Sequence, residues 1–341
     1  MVRRTWTSAW AKGVTRSLAA LRKATKPAGK RAPARKAKVA ATGILTRRAA
    51  DPSGKAGRWS AGVALGPAGA RRYKLYSPPG LQPGERVPML VMLHGCGQDA
   101  KEIAATTRMN QIAAQKRFVV LYPEQDRLAN PKGCWNWFDT QSGRAYGEAA
   151  LVMAAIDQAC LLYPVDRERV AVAGLSAGAS MAALLATRYP ERFKAVVMHS
   201  GIPPGTAHSA LTALRAMQGG RATSPLPTTV SADAASRPPL LVIHGNVDTV
   251  VDVGNGRTAA QVWADAAGAR ATAQRHVQRG KRYAMKVTDF KHRGKTVATL
   301  VDVERLGHAW SGGVAKAPFS DARGPDASRM VWAFAARQFR K

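Results

Sequence analysis

The sequence predicts an α/β fold in which a mostly parallel, doubly wound sheet is covered by helices on both faces. Three observations lead there. Apolar strand-like runs alternate with helical stretches of crossover length after residue 70. The 341 residues suffice for one large domain plus a tail. One strand-like run, "VAVAG", passes through Gly174-Leu175-Ser176-Ala177-Gly178 directly into an Ala- and Leu-rich helix.

The elements follow in order. "RRYKLYSPP" reads as a short strand, "VPMLVMLHG" as a buried strand ending at glycine, "TTRMNQIAAQKR" as a helix and "FVVLYPEQ" as a strand. A helix over 148–162 precedes the strand "RVAVAGLS", the helix "AGASMAALLATRYP", the strands "FKAVVMHSG" and "PLLVIHG", and the helix "GRTAAQVWADAAG". Residues 203–238, rich in Pro, Gly, Ser and Thr, read as a surface excursion. "RYAMKVTDF" and "TVATLVDVERLGH" read as two strands about the polar turn "KHRGK". "DASRMVWAFAARQFRK" closes the chain as an amphipathic helix capped by Asp326. In an open α/β sheet of this kind, ligands belong at the carboxyl ends of the strands.

Charge divides the chain into a basic extension, residues 1–50, and a folded domain, residues 51–341. The extension holds 14 Lys and Arg and no acid, leaving 38 basic against 21 acidic residues in the rest of a chain of net charge +31. Trp6, Trp10, Val14, Leu18 and Leu21 share one helical face there, the pattern of a basic amphipathic helix, and the Pro/Ala/Lys/Arg run after Lys26 reads as disordered. An anionic surface is the partner this composition suits. No run approaches the roughly twenty apolar residues of a membrane span, and no apolar signal stretch is visible. The sequence alone therefore points to an intracellular or unconventionally exported protein.

A nucleophile elbow needs a strand, a strained turn between small residues and a helix, and Ser176 has all three. A serine at its free pKa is a poor nucleophile, so a histidine must take its proton and an acid must orient that histidine. The expected chain order is serine, acid, histidine. "LLVIHGNVDTVVD" offers Asp248 and Asp252, and Asp248 lies nearer the strand end. Among the histidines beyond it, His276 and His292 lie in polar sequence. His308 in "LGHAWSGG" follows a strand and is the expected base. Asp302 reads as structural, pointing out from its strand. The oxyanion donors expected are the amides of Ala177 and of Cys96 in "MLHGCGQD". His94 reads as a loop-holding residue, and His199 and His244 as satisfied core histidines. Trp135 and Trp310 are expected to meet the substrate, and Trp137 to be core. Cys96 and Cys134 lie in loop-like sequence and leave one disulfide open, Cys160 reads as buried in a helix face, and none has the spacing of a metal site. This chemistry calls for no cofactor.

The segments "LHGCGQDA", "TRMNQIAAQKRFVVLYPEQ", "GCWNWF", "VAVAGLSAGASMAALLATRYPERFKAVVMHSG", "LLVIHGNVDTVV" and "LGHAWSGG" resemble, in order, the catalytic domain of type 1 members of the PHB (polyhydroxybutyrate) depolymerase esterase family. The resemblance implies an α/β-hydrolase fold with Ser176, Asp248 and His308 as triad, an oxyanion loop at Cys96, a Cys96–Cys134 disulfide and an extracellular or periplasmic setting. It implies an ester substrate: short-chain hydroxyalkanoate polymer or oligomers, with feruloyl or acetyl polysaccharide esters as the alternative. The basic extension, by its composition, leaves a rival of another class, an anionic-surface or granule-binding protein with secondary esterase activity. The chain ends at Lys341 just after its closing helix, so no polymer-binding domain is expected after it. Compartment and oligomeric state stay open.

Overall fold

Eight principal strands carry the architecture, seen in a computed structural model that describes residues 57–219 and 237–340. In chain order they are β1 (Arg58–Gly66), β2 (Gly69–Ser77), β3 (Val87–Leu93), β4 (Val119–Pro123), β5 (Val165–Leu175), β6 (Ala195–His199), β7 (Leu240–Gly245) and, after three shorter or hairpin strands, β11 (Lys295–Val303). Their spatial order is β1-β2-β4-β3-β5-β6-β7-β11. The six strands from β4 to β11 are parallel neighbours, whereas β1 and β2 form an antiparallel hairpin on one flank. On the other flank β10 (Met285–His292) returns antiparallel to β11, with the short β8 (Arg270–Ala271) and β9 (Arg275–Val277) beside it.

Central strands such as Met89–Leu93 and Ala195–Met198 are buried throughout, as a sheet covered on both faces requires. The helices that follow in sequence are α1 (Ala100–Thr107), α2 (Met109–Lys116), α3 (Arg144–Leu162), α4 (Ala177–Arg188), α5 (Ala210–Met217), α6 (Gly254–Ala266) and α7 (Ala327–Gln338). One core layer lies under α3, α4 and α6 and includes Val152, Leu184 and Trp263. The opposite layer lies under α1, α2 and α7 and includes Ile103, Phe118 and Phe334.

The structure departs from the sequence reading in local ways. The helix expected over 106–117 is two helices, because Arg108 takes a left-handed conformation (φ 54°) between α1 and α2. The break frees its guanidinium to donate to the carbonyl of Gly312 at 2.6 Å. The excursion after residue 203 contains α5, opened by a capping box of Ser209 and Thr212. α3 starts a turn before the expected position and is long and apolar enough to cross a membrane, yet it packs on β1 and β2 as a core helix. Asp326 caps α7 as expected, accepting from the amide of Arg329. The amphipathic helix expected over 6–21 and the basic run after Lys26 lie outside the described residues.

Candidate active site

Ser176 sits between β5 and α4 with φ 56° and ψ −122°, a conformation side-chain-bearing residues rarely adopt. Two close approaches enforce the turn. A Cβ on Gly174 would lie 2.3 Å from the backbone of Gly178, and one on Gly178 would lie 2.3 Å from the carbonyl oxygen of Leu93. The amide of Ser176 donates to the carbonyl of His199 on the neighbouring strand at 2.9 Å. The hydroxyl is thereby lifted over the carboxyl edge of the sheet at the start of α4, where helix amides carry partial positive charge.

His308, in the loop after β11, places Nε2 3.0 Å from the Ser176 hydroxyl oxygen and Nδ1 2.8 Å from Asp248 Oδ2. The carboxylate can only accept from Nδ1–H, so Nε2 holds the lone pair that faces the serine. Asp248 follows β7 and its side chain has no solvent exposure. Burial alone would raise its pKa. Hydrogen bonds from His244 and His308, joined by the amide of Val251, outweigh burial and hold the carboxyl well below the usual carboxylate range. Oδ1 also accepts from the amides of Val250 and Val251 at 2.9 Å each. Asp252 instead accepts from the amide of Gly254 next to its own loop, and His276 and His292 lie exposed on the antiparallel flank.

Each loop of the site is tied down by a buried histidine at a strand end. His94 Nδ1–H donates to the carbonyl of Gly95 at 2.8 Å while its Nε2 accepts the amide of Gln125 at 3.1 Å, which holds the Cys96 loop. His199 Nε2 accepts the amide of Ser311 at 3.1 Å and stacks on Trp310 at 4.9 Å between centroids, which holds the loop carrying His308. His244 Nε2–H donates to the carbonyl of Val251 at 2.9 Å and lies 3.4 Å from Asp248 Oδ2. His244 is therefore more than a core histidine, since it braces the acid of the site.

The Cys96–Cys134 disulfide is present, joining the "HGC" loop to the "GCWNW" loop. The amide of Gly97 also donates to the carbonyl of Lys132. Gly95 lies against the carbonyl of Leu175, so the Cys96 loop abuts the elbow. Cys160 is a buried free thiol, as its helical run suggested.

Two tryptophans need correction. Trp135 and Trp310 were expected to meet substrate, but both are fully buried. Trp135 donates its indole N–H to the carbonyl of His94 at 3.0 Å under the guanidinium of Arg71, and Trp310 donates to Ser328 Oγ at 2.9 Å. An indole with a committed N–H and no accessible face supports a loop rather than contacting a ligand. Asp302 also differs: its side chain is buried rather than turned outward, pairs in register with His244, and has its pKa raised by that burial despite Arg257 at 3.7 Å.

Sequence reasoning missed one supporting network. Glu148 is buried in α3 and accepts from the amide and side chain of Asn136 and from Gln125 Nε2. Arg71 is buried beside it, donating to the side chain of Gln125 and the carbonyl of Glu124. The signal was a lone carboxylate inside the apolar helical run "GEAALVMAAI", which must find partners when buried.

Burial drives the His199 pKa down to about 3, and the nearby imidazoles of His244 and His308 push the same way. An unfolded histidine titrates near 6.5. Between these values the unfolded chain binds the extra proton, so this contribution to stability is complete above about pH 6.5 and is lost as pH falls. The expected slope is up to about 1.4 kcal/mol per pH unit. Urea melts between pH 4 and 6.5 should show a shallower loss of stability for His199→Gln than for the parent. Parallel curves would show that His199 is not the group responsible.

A serine, histidine and carboxylate so arranged on this sheet define an α/β hydrolase. The solved acetyl xylan esterase from Aspergillus awamori superposes with a TM-score of 0.62 at 20% identity, covering 74% of this chain and 94% of that one, which establishes the shared fold. Residues 71–279 match the profile of the esterase PHB depolymerase family, and the chain belongs to that family. Among its relatives, poly(3-hydroxyalkanoate) depolymerase C of Paucimonas lemoignei is 34% identical over 134 residues, 39% of this chain and 32% of the relative. Feruloyl esterase B of Thermothelomyces thermophilus is 28% identical over 202 residues, 54% of this chain and 67% of the relative. Acetylxylan esterase A of Aspergillus oryzae is 28% identical over 189 residues, covering 52% and 61%. The match thus spans as little as a third of a curated relative's length.

Proposed function

We propose that this chain is a serine esterase that hydrolyses carboxylic esters of short hydroxyalkanoic acids through an acyl-enzyme. The observation that carries the reading is the continuous hydrogen-bonded line from Ser176 through His308 to Asp248. Ser176 Oγ attacks the ester carbonyl as His308 Nε2 takes its proton, and Asp248 stabilises the imidazolium that forms. The amides of Ala177 and Cys96 bind the oxyanion. On collapse, His308 returns the proton to the leaving alcohol. Water then attacks the acyl-enzyme with His308 again as base, releasing the acid and restoring Ser176.

The hydroxyalkanoate assignment is supported by the family match and by the 34% identity to a poly(3-hydroxyalkanoate) depolymerase. Similarity to feruloyl and acetylxylan esterases makes polysaccharide esters the competing substrates. Steady-state kcat/KM on soluble 3-hydroxybutyrate oligomers, feruloylated arabinoxylan oligosaccharides and acetylated xylo-oligosaccharides separates them. The oligomers should be preferred by at least about tenfold, a difference of about 1.4 kcal/mol in transition-state binding. Faster turnover of either polysaccharide ester would move the enzyme to that substrate.

A further inference from the structure

A groove of about 730 Å³ runs between α7 and the antiparallel flank of the sheet, on the face away from α3 and α4. Two periodicities build its walls. Alternate residues of β10 and β11, Met285, Val287, Val301 and Thr299, turn onto this face, while Arg329, Ala333 and Arg337 recur every fourth position along α7. The floor is apolar, with Met285, Val287, Val301 and Phe334 all buried. Its sheet residues lie within β7, β9, β10 and β11, whereas Asp248 and His308 lie beyond the ends of β7 and β11.

The rim is cationic. Arg275, Arg279, Lys295, Arg329 and Arg337 line it, against one acid, Asp289. That acid is already satisfied by Arg275 at 2.6 Å and by the hydroxyl of Thr299 at 2.7 Å. Arg329 has Asp326 at 3.5 Å. Arg279, Lys295 and Arg337 have no carboxylate partner among the described residues, and Arg337 lies over the ring of Phe334. An apolar trough with unpaired cations at its lip suits a ligand with an apolar body and an anionic head.

We propose that this groove binds a single-chain amphiphilic carboxylate, with its chain along Met285, Val287 and Phe334 and its head at Arg279 and Arg337. The test is calorimetric titration of the full chain carrying Ser176→Ala with sodium decanoate below its micelle concentration, beside sodium acetate and decanol. Decanoate should saturate one site, with acetate and decanol at least about tenfold weaker, since both halves of the ligand are needed. Arg337→Glu and Ala333→Glu, both exposed positions on α7, should each weaken decanoate by about tenfold or more. On the Ser176 background these variants should keep hydrolysing a p-nitrophenyl ester, which reports an intact fold. Undiminished decanoate binding in both variants would place it elsewhere, including the acyl pocket, and overturn the proposal. Acetate or decanol binding as tightly as decanoate, or no saturation, would overturn it too.

Discussion

Replacing Ser176 with alanine should lower kcat for a short-chain p-nitrophenyl ester by about 10⁶-fold, leaving only the residual rate supplied by binding and oxyanion donors. The effect is large because no second hydroxyl can stand in: among the described side chains, His308 Nε2 hydrogen-bonds only to Ser176. Stability should scarcely change. The strained backbone at φ 56° is imposed by the packing of Gly174 and Gly178, not by the hydroxyl, and alanine meets the same strain as serine. Turnover and the urea midpoint measured on the same preparation therefore separate chemistry from folding. Retained turnover with an unchanged midpoint would remove Ser176 from the reaction.

Asp248→Asn should cost about 10⁴-fold in kcat with a smaller change in KM. Its carboxylate spends Oδ1 on the amides of Val250 and Val251 and Oδ2 on His308. An asparagine seated in those bonds keeps its carbonyl oxygen on the two amides, which turns its NH₂ toward His308 Nδ1. Imidazole then accepts at Nδ1 and carries its proton on Nε2, so the atom facing Ser176 can no longer take one. A loss confined to KM would show that Asp248 shapes binding rather than the base.

The candidate site was legible in the sequence where it depends on local order. Gly174 to Gly178 lie between a strand and a helix, and Asp248 and His308 each follow a strand end, so chain order and topology together select them. What depends on distant packing was not legible. Trp310 stands two residues from His308, yet the chain bends at His308 and Ala309, and the indole is taken up by His199 and Ser328. The partnership of Arg71, Gln125 and Glu148 joins residues 54 and 23 positions apart, so the lone carboxylate in its apolar helix signals a need for partners but not which ones. The break at Arg108 was hidden for the same reason, because the carbonyl that rewards it belongs to Gly312.

The buried thiol of Cys160 bears on how the chain acquires its one covalent cross-link. Three cysteines allow three pairings, and only Cys96 with Cys134 is native. Thiol exchange needs an accessible thiolate, and burial both hides Cys160 and raises its pKa. Packing of α3 into the core therefore withdraws the odd cysteine from competition. Oxidation after that packing has a single outcome, so the order of the two events bears on the yield of correctly bridged protein.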